Sequence, residues 1–140
     1  MRLKALTIAA GLAVATAAAA APTPREVVDD FLAQADRATR GGNKIFRTVH
    51  GDLAQEGRQR ISIEATPGVY QIIGACDAAC ADVDLRLYDE DGSKIEEDLR
   101  SDKFPLIQIK VNGPATFDIE VAVNNCTTKT CVYGLRIYRT

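Results

Sequence analysis

The spacing of apolar positions changes once along this chain. Val27, Val28, Phe31, Leu32, Ala35 and Ala38 recur at helical spacing and form one apolar stripe on an otherwise polar segment. Thr23 ahead of them is an N-cap residue, Pro24 fits the first helical position, and Glu26 falls in the first turn. Gly41 and Gly42 supply a stop. The pattern predicts a helix over 24–40. Its stripe needs a surface, either its own domain or a partner.

From Asn43 onward the period falls to two. Strands are expected over 45–49, 60–65, 69–75, 82–89, 94–97, 106–111, 115–123 and 132–138. Ile61, Ile63 and Ala65 share one face of the second strand, and Phe117, Ile119, Val121 and Val123 share one face of the seventh. The third strand is more uniformly apolar, which suits an interior position. Between them lie a polar connection over 51–57, Thr66-Pro67-Gly68, Asp89-Glu90-Asp91-Gly92 and Asn112-Gly113-Pro114, all with turn chemistry. About eight short antiparallel strands with such spacing predict an all-β sandwich or jelly roll, with one N-terminal amphipathic helix after a signal peptide.

That signal peptide is read from the first 20 residues. Arg2 and Lys4 give a basic head, an apolar run over 5–14 follows, and Ala18 and Ala20 occupy the −3 and −1 positions of a cleavage site after Ala20. The run is too short and alanine-rich for a membrane span, so none is expected after cleavage. The expected organisation is a leader over 1–20, a helix segment over 21–42 and a sandwich domain over 43–140. Without Arg2 and Lys4 the chain carries 15 basic and 19 acidic residues, a net charge of −4. This balance argues against nucleic acid as a partner and offers no polybasic patch to a membrane surface.

Four cysteines in an exported chain of this size point to two disulfides. Three pairings are open. Three residues separate Cys76 from Cys80 and four separate Cys126 from Cys131, so the favoured pairs are Cys76–Cys80 and Cys126–Cys131, each closing a local loop. A four-thiolate zinc site is the alternative, but its usual knuckle spacing is two residues.

The candidate chemistry is acidic. Ten of the 19 acidic residues fall within the 26 positions from Asp77 to Asp102. On the strand over 82–89, Val83, Leu85 and Leu87 take one face and Asp82, Asp84, Arg86 and Tyr88 the other. Asp82 and Asp84 therefore project side by side and repel, unless solvent, a basic group or a cation lies between them. A solvated face and a calcium site both remain open. The segment is no EF-hand, because Arg86 and Leu87 fall where a ligand and a glycine are required. A calcium site would have to be assembled across strand ends, with Asp77, Asp82, Asp84 and Asp98 as the expected ligands.

Nucleophilic chemistry finds no frame. His50 is the only histidine and has no partner at a motif spacing, and Ser62, Ser93 and Ser101 stand in no Gly-x-Ser-x-Gly elbow. No phosphate-binding glycine loop and no His-Glu-x-x-His occur.

Several residues carry a resemblance. Tyr70, Ile72, Gly74, Cys76 and Asp77, then Asp82-Val83-Asp84-Leu85, then Tyr88-Asp89 with Gly92, Pro105, and the late Cys126 and Cys131 before a closing strand, resemble the bacterial pre-peptidase C-terminal domain over residues 45–138. The resemblance implies a β-sandwich or jelly-roll module of secreted bacterial proteins, often appended to proteases, of which some bind calcium and those of collagenases bind collagen. Its Asp-x-Asp-Leu strand corresponds to Asp82, Asp84 and Leu85. The chain departs from that arrangement, since the helix segment stands where a peptidase domain is expected.

The expectation is an exported, periplasmic or secreted, non-enzymatic β-sandwich, a binding or envelope-associated module stabilised by calcium. Its partner would be a protein or an envelope component. The alternative is a small periplasmic hydrolase or a protease-inhibitor-like protein.

Overall fold

In a computed structural model, which describes residues 13–39 and 43–140, the chain forms α1 (Pro24–Ala38) followed by eight strands. These are β1 (Lys44–Leu53), β2 (Arg58–Ala65), β3 (Gly68–Cys76), β4 (Cys80–Tyr88), β5 (Lys94–Asp98), β6 (Leu106–Val111), β7 (Ala115–Cys126) and β8 (Cys131–Arg139). They pair antiparallel in two four-stranded sheets, β1-β8-β3-β6 and β2-β7-β4-β5. The fold is the expected all-β sandwich. Apart from the β4–β5 hairpin, successive strands alternate between the sheets, so the inward faces of both build one core. The twofold period of the sequence is visible in it: Val83, Leu85 and Leu87 are buried beside Ile119, Val121 and Val123 of the neighbouring strand, and share one core with Ile72 and Ile137 from the other sheet.

The expected strands are all present, with longer ends. β1 does not stop at Val49 but stays paired with β8 as far as Leu53, opposite Cys131. Gly51 permits this, since a Cβ there would stand 2.7 Å from the Tyr133 ring. β3 is interior to its sheet, between β8 and β6. The β4–β5 hairpin uses the anticipated turn. Gly92 has φ 80°, and the Asp89 carboxylate accepts the backbone N–H groups of Asp91 and Ser93 at 3.0 and 2.9 Å.

Both favoured disulfides are formed. Cys76–Cys80 spans the β3-to-β4 crossover and Cys126–Cys131 the β7-to-β8 crossover. Cys80 and Cys126 face each other across the β4–β7 pair, and Thr127 donates its backbone N–H to Ala79 O at 2.9 Å. Each bridge thus fastens one passage between the sheets, and the two passages lie side by side.

The helix starts as the sequence indicates. Thr23 and Glu26 form a reciprocal capping box, with Thr23 N–H donating to Glu26 Oε2 at 2.7 Å. It ends at Ala38, where Thr39 donates its backbone N–H to Ala35 O at 3.0 Å. Residues 1–12 of the leader and Arg40, Gly41 and Gly42 lie outside the described residues. No helix among the described residues is long and apolar enough to cross a membrane.

Val28 and Leu32 are fully buried and, with Ala75 of β3, form a second apolar cluster on the outer face of the β1-β8-β3-β6 sheet. The centre of the apolar stripe is therefore covered by its own domain, while Ala38 at its far end stays exposed.

Candidate functional site

The four carboxylates expected to hold calcium do not form one cluster. Among the described residues, no three His, Cys, Asp or Glu side chains are arranged to hold a metal ion. Asp77 is 3% exposed, and its two oxygens accept the backbone N–H groups of Ala79 at 3.0 Å and Val132 at 2.8 Å. It pins the disulfide loop to β8. Asp98 accepts from Arg100 Nη2 at 2.7 Å, Arg100 Nε at 3.0 Å and the Leu106 N–H at 2.9 Å. The Arg100 guanidinium holds its carboxyl down at about 2. Both residues are tethers whose oxygens are already occupied.

Asp82 and Asp84 do lie together on the outer face of β4. Asn124 of β7 donates Nδ2–H to Asp84 Oδ2 at 2.6 Å, and Arg86 Nη2 stands 3.7 Å from the same oxygen. Oδ1 of each aspartate is buried and receives no hydrogen bond. Burial, and then the Asp84 charge, push the Asp82 carboxyl above its ordinary value, against the hydrogen bond from Asn124. The repulsion anticipated from their spacing is present and only partly relieved.

His50 also has a partner that the sequence did not reveal. Its Nε2 lies 2.7 Å from Asp29 Oδ1 on α1, and the described hydrogen bonds join it to no hydroxyl or thiol. Two turns further along the same face, Asp36 accepts from Arg136 Nη2 at 3.0 Å, Arg136 Nε at 3.1 Å and the Tyr138 hydroxyl at 2.6 Å. Asp29 and Asp36 are seven residues apart, two helical turns, so both carboxylates reach the sheet beside the buried Val28 and Leu32. Here His50 is an anchor of the helix.

Fixed in this way, α1 stands as one wall of an apolar cleft of about 580 Å³. Ile73, Gly74 and Ala75 of β3 form the floor; Phe31, Ala35 and Ala38 face it from the helix; Phe104 and Leu106 form the opposite wall. That wall exists because Gly74 has no side chain. A Cβ there would stand 2.8 Å from Pro105 Cγ, and Gly74 N–H donates to Pro105 O at 2.9 Å, drawing the β5–β6 connection down onto β3. Phe31 and Phe104 meet edge-on with centroids 5.0 Å apart. The rims stay open: Phe104 is 44% and Leu106 45% exposed. The sequence marked Phe31 and Leu106 only as members of periodic patterns and left Phe104 unassigned; no motif signals the cleft.

No family model and no curated protein matches this chain. Among solved structures it is similar to the Yersinia pseudotuberculosis-derived mitogen, with a TM-score of 0.50, 17% identity, and coverage of 68% of this chain and 85% of that one. It is also similar to a periplasmic lysozyme inhibitor of g-type lysozyme from Aeromonas hydrophila, with a TM-score of 0.47, 8% identity, and coverage of 67% and 85%. At such identities the likeness concerns the fold. The two disulfides fit an extracytoplasmic protein.

Proposed function

We propose that this protein is an exported, non-enzymatic binding module that holds a protein or envelope component in the cleft beside α1. One observation carries the reading: an apolar cavity of about 580 Å³ is kept open between elements that are each fastened to the sandwich, rather than collapsed into its core. Such volumes are typical of ligand sites, and apolar walls with a few polar groups at the rim are their usual lining. The leader pattern and the disulfides support export to the periplasm or beyond.

The test uses a neutral apolar fluorophore. Nile red added to the oxidised protein should show saturable fluorescence with one site per chain. Ala38→Phe, which fills the cleft from an exposed helix position, should remove the signal without altering the fold. Non-saturable fluorescence, or an unchanged signal in Ala38→Phe, would overturn the reading.

A second reading concerns calcium, and the donor-free oxygens of Asp82 and Asp84 favour it. Calcium takes hard oxygen ligands, and two buried carboxylate oxygens without a donor are of that kind. In this reading Asp82 and Asp84 hold the ion beside Asn124, while Asp77 and Asp98 have structural roles only. The ion would brace β4 against β7.

A further inference from the structure

We propose that Asn112 is a site of spontaneous modification, where the side-chain amide closes onto the Gly113 backbone nitrogen and then opens in water to an aspartyl or isoaspartyl residue. The reaction needs no partner and does not depend on the cleft.

The step balances within the chain and the solvent. The Gly113 nitrogen attacks Asn112 Cγ, the bond from Cγ to Nδ2 breaks, and the Gly113 amide proton leaves with Nδ2 as ammonia. A five-membered succinimide remains. Water then adds to one of its two carbonyls and breaks that carbonyl's bond to the ring nitrogen. Opening at Cγ gives an aspartyl residue at position 112. Opening at the backbone carbonyl leaves the main chain running through Cβ and Cγ, the isoaspartyl form.

Ring closure needs a following nitrogen that is free to attack, a carboxamide that is not held elsewhere, and a pliable backbone. The chain has four asparagines, Asn43, Asn112, Asn124 and Asn125. Asn43 donates to Gln71 Oε1 at 3.1 Å and accepts from the Thr140 hydroxyl, and Lys44 after it is paired with Arg139. Asn124 donates to Asp84 Oδ2 at 2.6 Å and lies inside β7. After Asn125, the Cys126 N–H donates to Gln55 Oε1 at 2.6 Å. Asn112 differs on every count. Residues 112–114 connect β6 to β7 beyond the last pairs of either strand, Val111 with Gly68 and Ala115 with Ala65. Among the described residues, neither the Asn112 carboxamide nor the Gly113 N–H is hydrogen-bonded. Asn112 is exposed, and Gly113 is followed by Pro114, which has no N–H to extend the ladder. Glycine gives the backbone the freedom that the closing ring requires.

The consequence is local. This connection passes from one sheet to the other, and each converted molecule carries one more negative charge there. In the isoaspartyl form the passage is also one backbone carbon longer.

The experiment ages the oxidised full chain in mildly alkaline buffer and follows it by peptide mass spectrometry. Tryptic cleavage after Lys110 and Lys129 releases one peptide that carries Asn112, Asn124 and Asn125, and its fragments locate each exchange of amide for acid. The exchange should grow with time at Asn112 alone, in two products of equal mass. One should co-elute with the peptide of Asn112→Asp and the other, the isoaspartyl form, should not. Asn112→Gln, which cannot close a five-membered ring, should lose the exchange. Gly113→Ala, where a Cβ meets open space, should keep the melting point and slow the exchange severalfold. An Asn112 that stays intact, or exchange that begins at Asn43, Asn124 or Asn125, would overturn the proposal. A single product that co-elutes with the Asn112→Asp peptide, or an unchanged rate in Gly113→Ala, would overturn the ring closure.

Discussion

Gly134 of β8 lies directly beneath Val28 of α1: a Cβ at Gly134 would stand 2.6 Å from Val28 Cγ1 and 2.9 Å from Leu32 Cδ1. The helix sits as close to the sheet as a glycine allows. Both contacts are to branched side chains that are themselves buried, so neither can move aside cheaply. Gly134→Ala should therefore lower stability by about 1–3 kcal/mol, the usual cost of overpacking. Gly113→Ala, at a turn with open space around its Cβ, should change stability by less than about 0.5 kcal/mol. Thermal melting of both variants checks this. Equal melting points would mean that α1 is not docked on β8.

The polar half of the same interface gives a second prediction. Asp36 receives three hydrogen bonds, from Arg136 and Tyr138, and burial followed by the Asp36 hydrogen bond raises the Tyr138 hydroxyl to about 12. Asp36→Ala leaves a half-buried guanidinium and a buried hydroxyl without their acceptor. The expected loss is about 1–3 kcal/mol. Arg136→Ala should cost a similar amount, and the double variant less than the sum, because both single changes break one network. For Tyr138 the raised value means that the folded state favours the neutral phenol. Its stability contribution is complete below pH 10 and is lost as the pH rises towards 12. Tyr138→Phe should therefore flatten the alkaline limb of the stability curve between those values.

This interface shows where the sequence stops being informative. Alternation along a strand reports burial directly, so the eight strands, the faces of β4 and the interior place of β3 were all legible. The two disulfides followed from spacing and compartment. The docking of α1 was not legible, because Asp29, Asp36, His50 and Gly134 look like ordinary surface and turn residues until the fold places them together. The division of the acidic cluster is hidden from the sequence for a related reason. Periodicity puts Asp82 and Asp84 on one face, but it cannot show that Asp77 is consumed by the amides of Ala79 and Val132, or Asp98 by Arg100 and Leu106.

Asp98 provides the acid-side prediction. Its hydrogen bonds, Arg100 first, lower the carboxyl from 3.8 to about 2, so the folded state favours the ionised form. The contribution is present above about pH 4 and is lost as the pH falls towards 2. Asp98→Asn should lower the melting point at pH 7 and remove part of the decline between pH 4 and 2. Arg100→Ala should act in the same direction but more weakly, because Arg100 is largely exposed and the Leu106 and backbone contacts remain. A wild-type acid limb identical to that of Asp98→Asn would contradict the assignment.

Asp82 has the opposite sign, and that makes the calcium reading decidable. A carboxyl raised by burial and by a like charge stabilises the folded state only while protonated, and the contribution disappears as the pH rises through its folded value. In chelator at neutral pH, Asp82→Asn should therefore melt at a higher temperature than the wild type. Calcium would reverse the order, because the ion turns the unfavourable pair of charges into ligands. Binding to the native state alone raises stability by about 2.7 kcal/mol at a hundred times the dissociation constant, and Asp84→Ala should abolish the response. A wild-type melt that calcium leaves flat, with Asp82→Asn still the more stable protein, would make Arg86 and Asn124 the only relief of the pair. The acidic face of β4 would then be a strained surface with no cation, and the binding chemistry of the molecule would rest on the cleft beside α1.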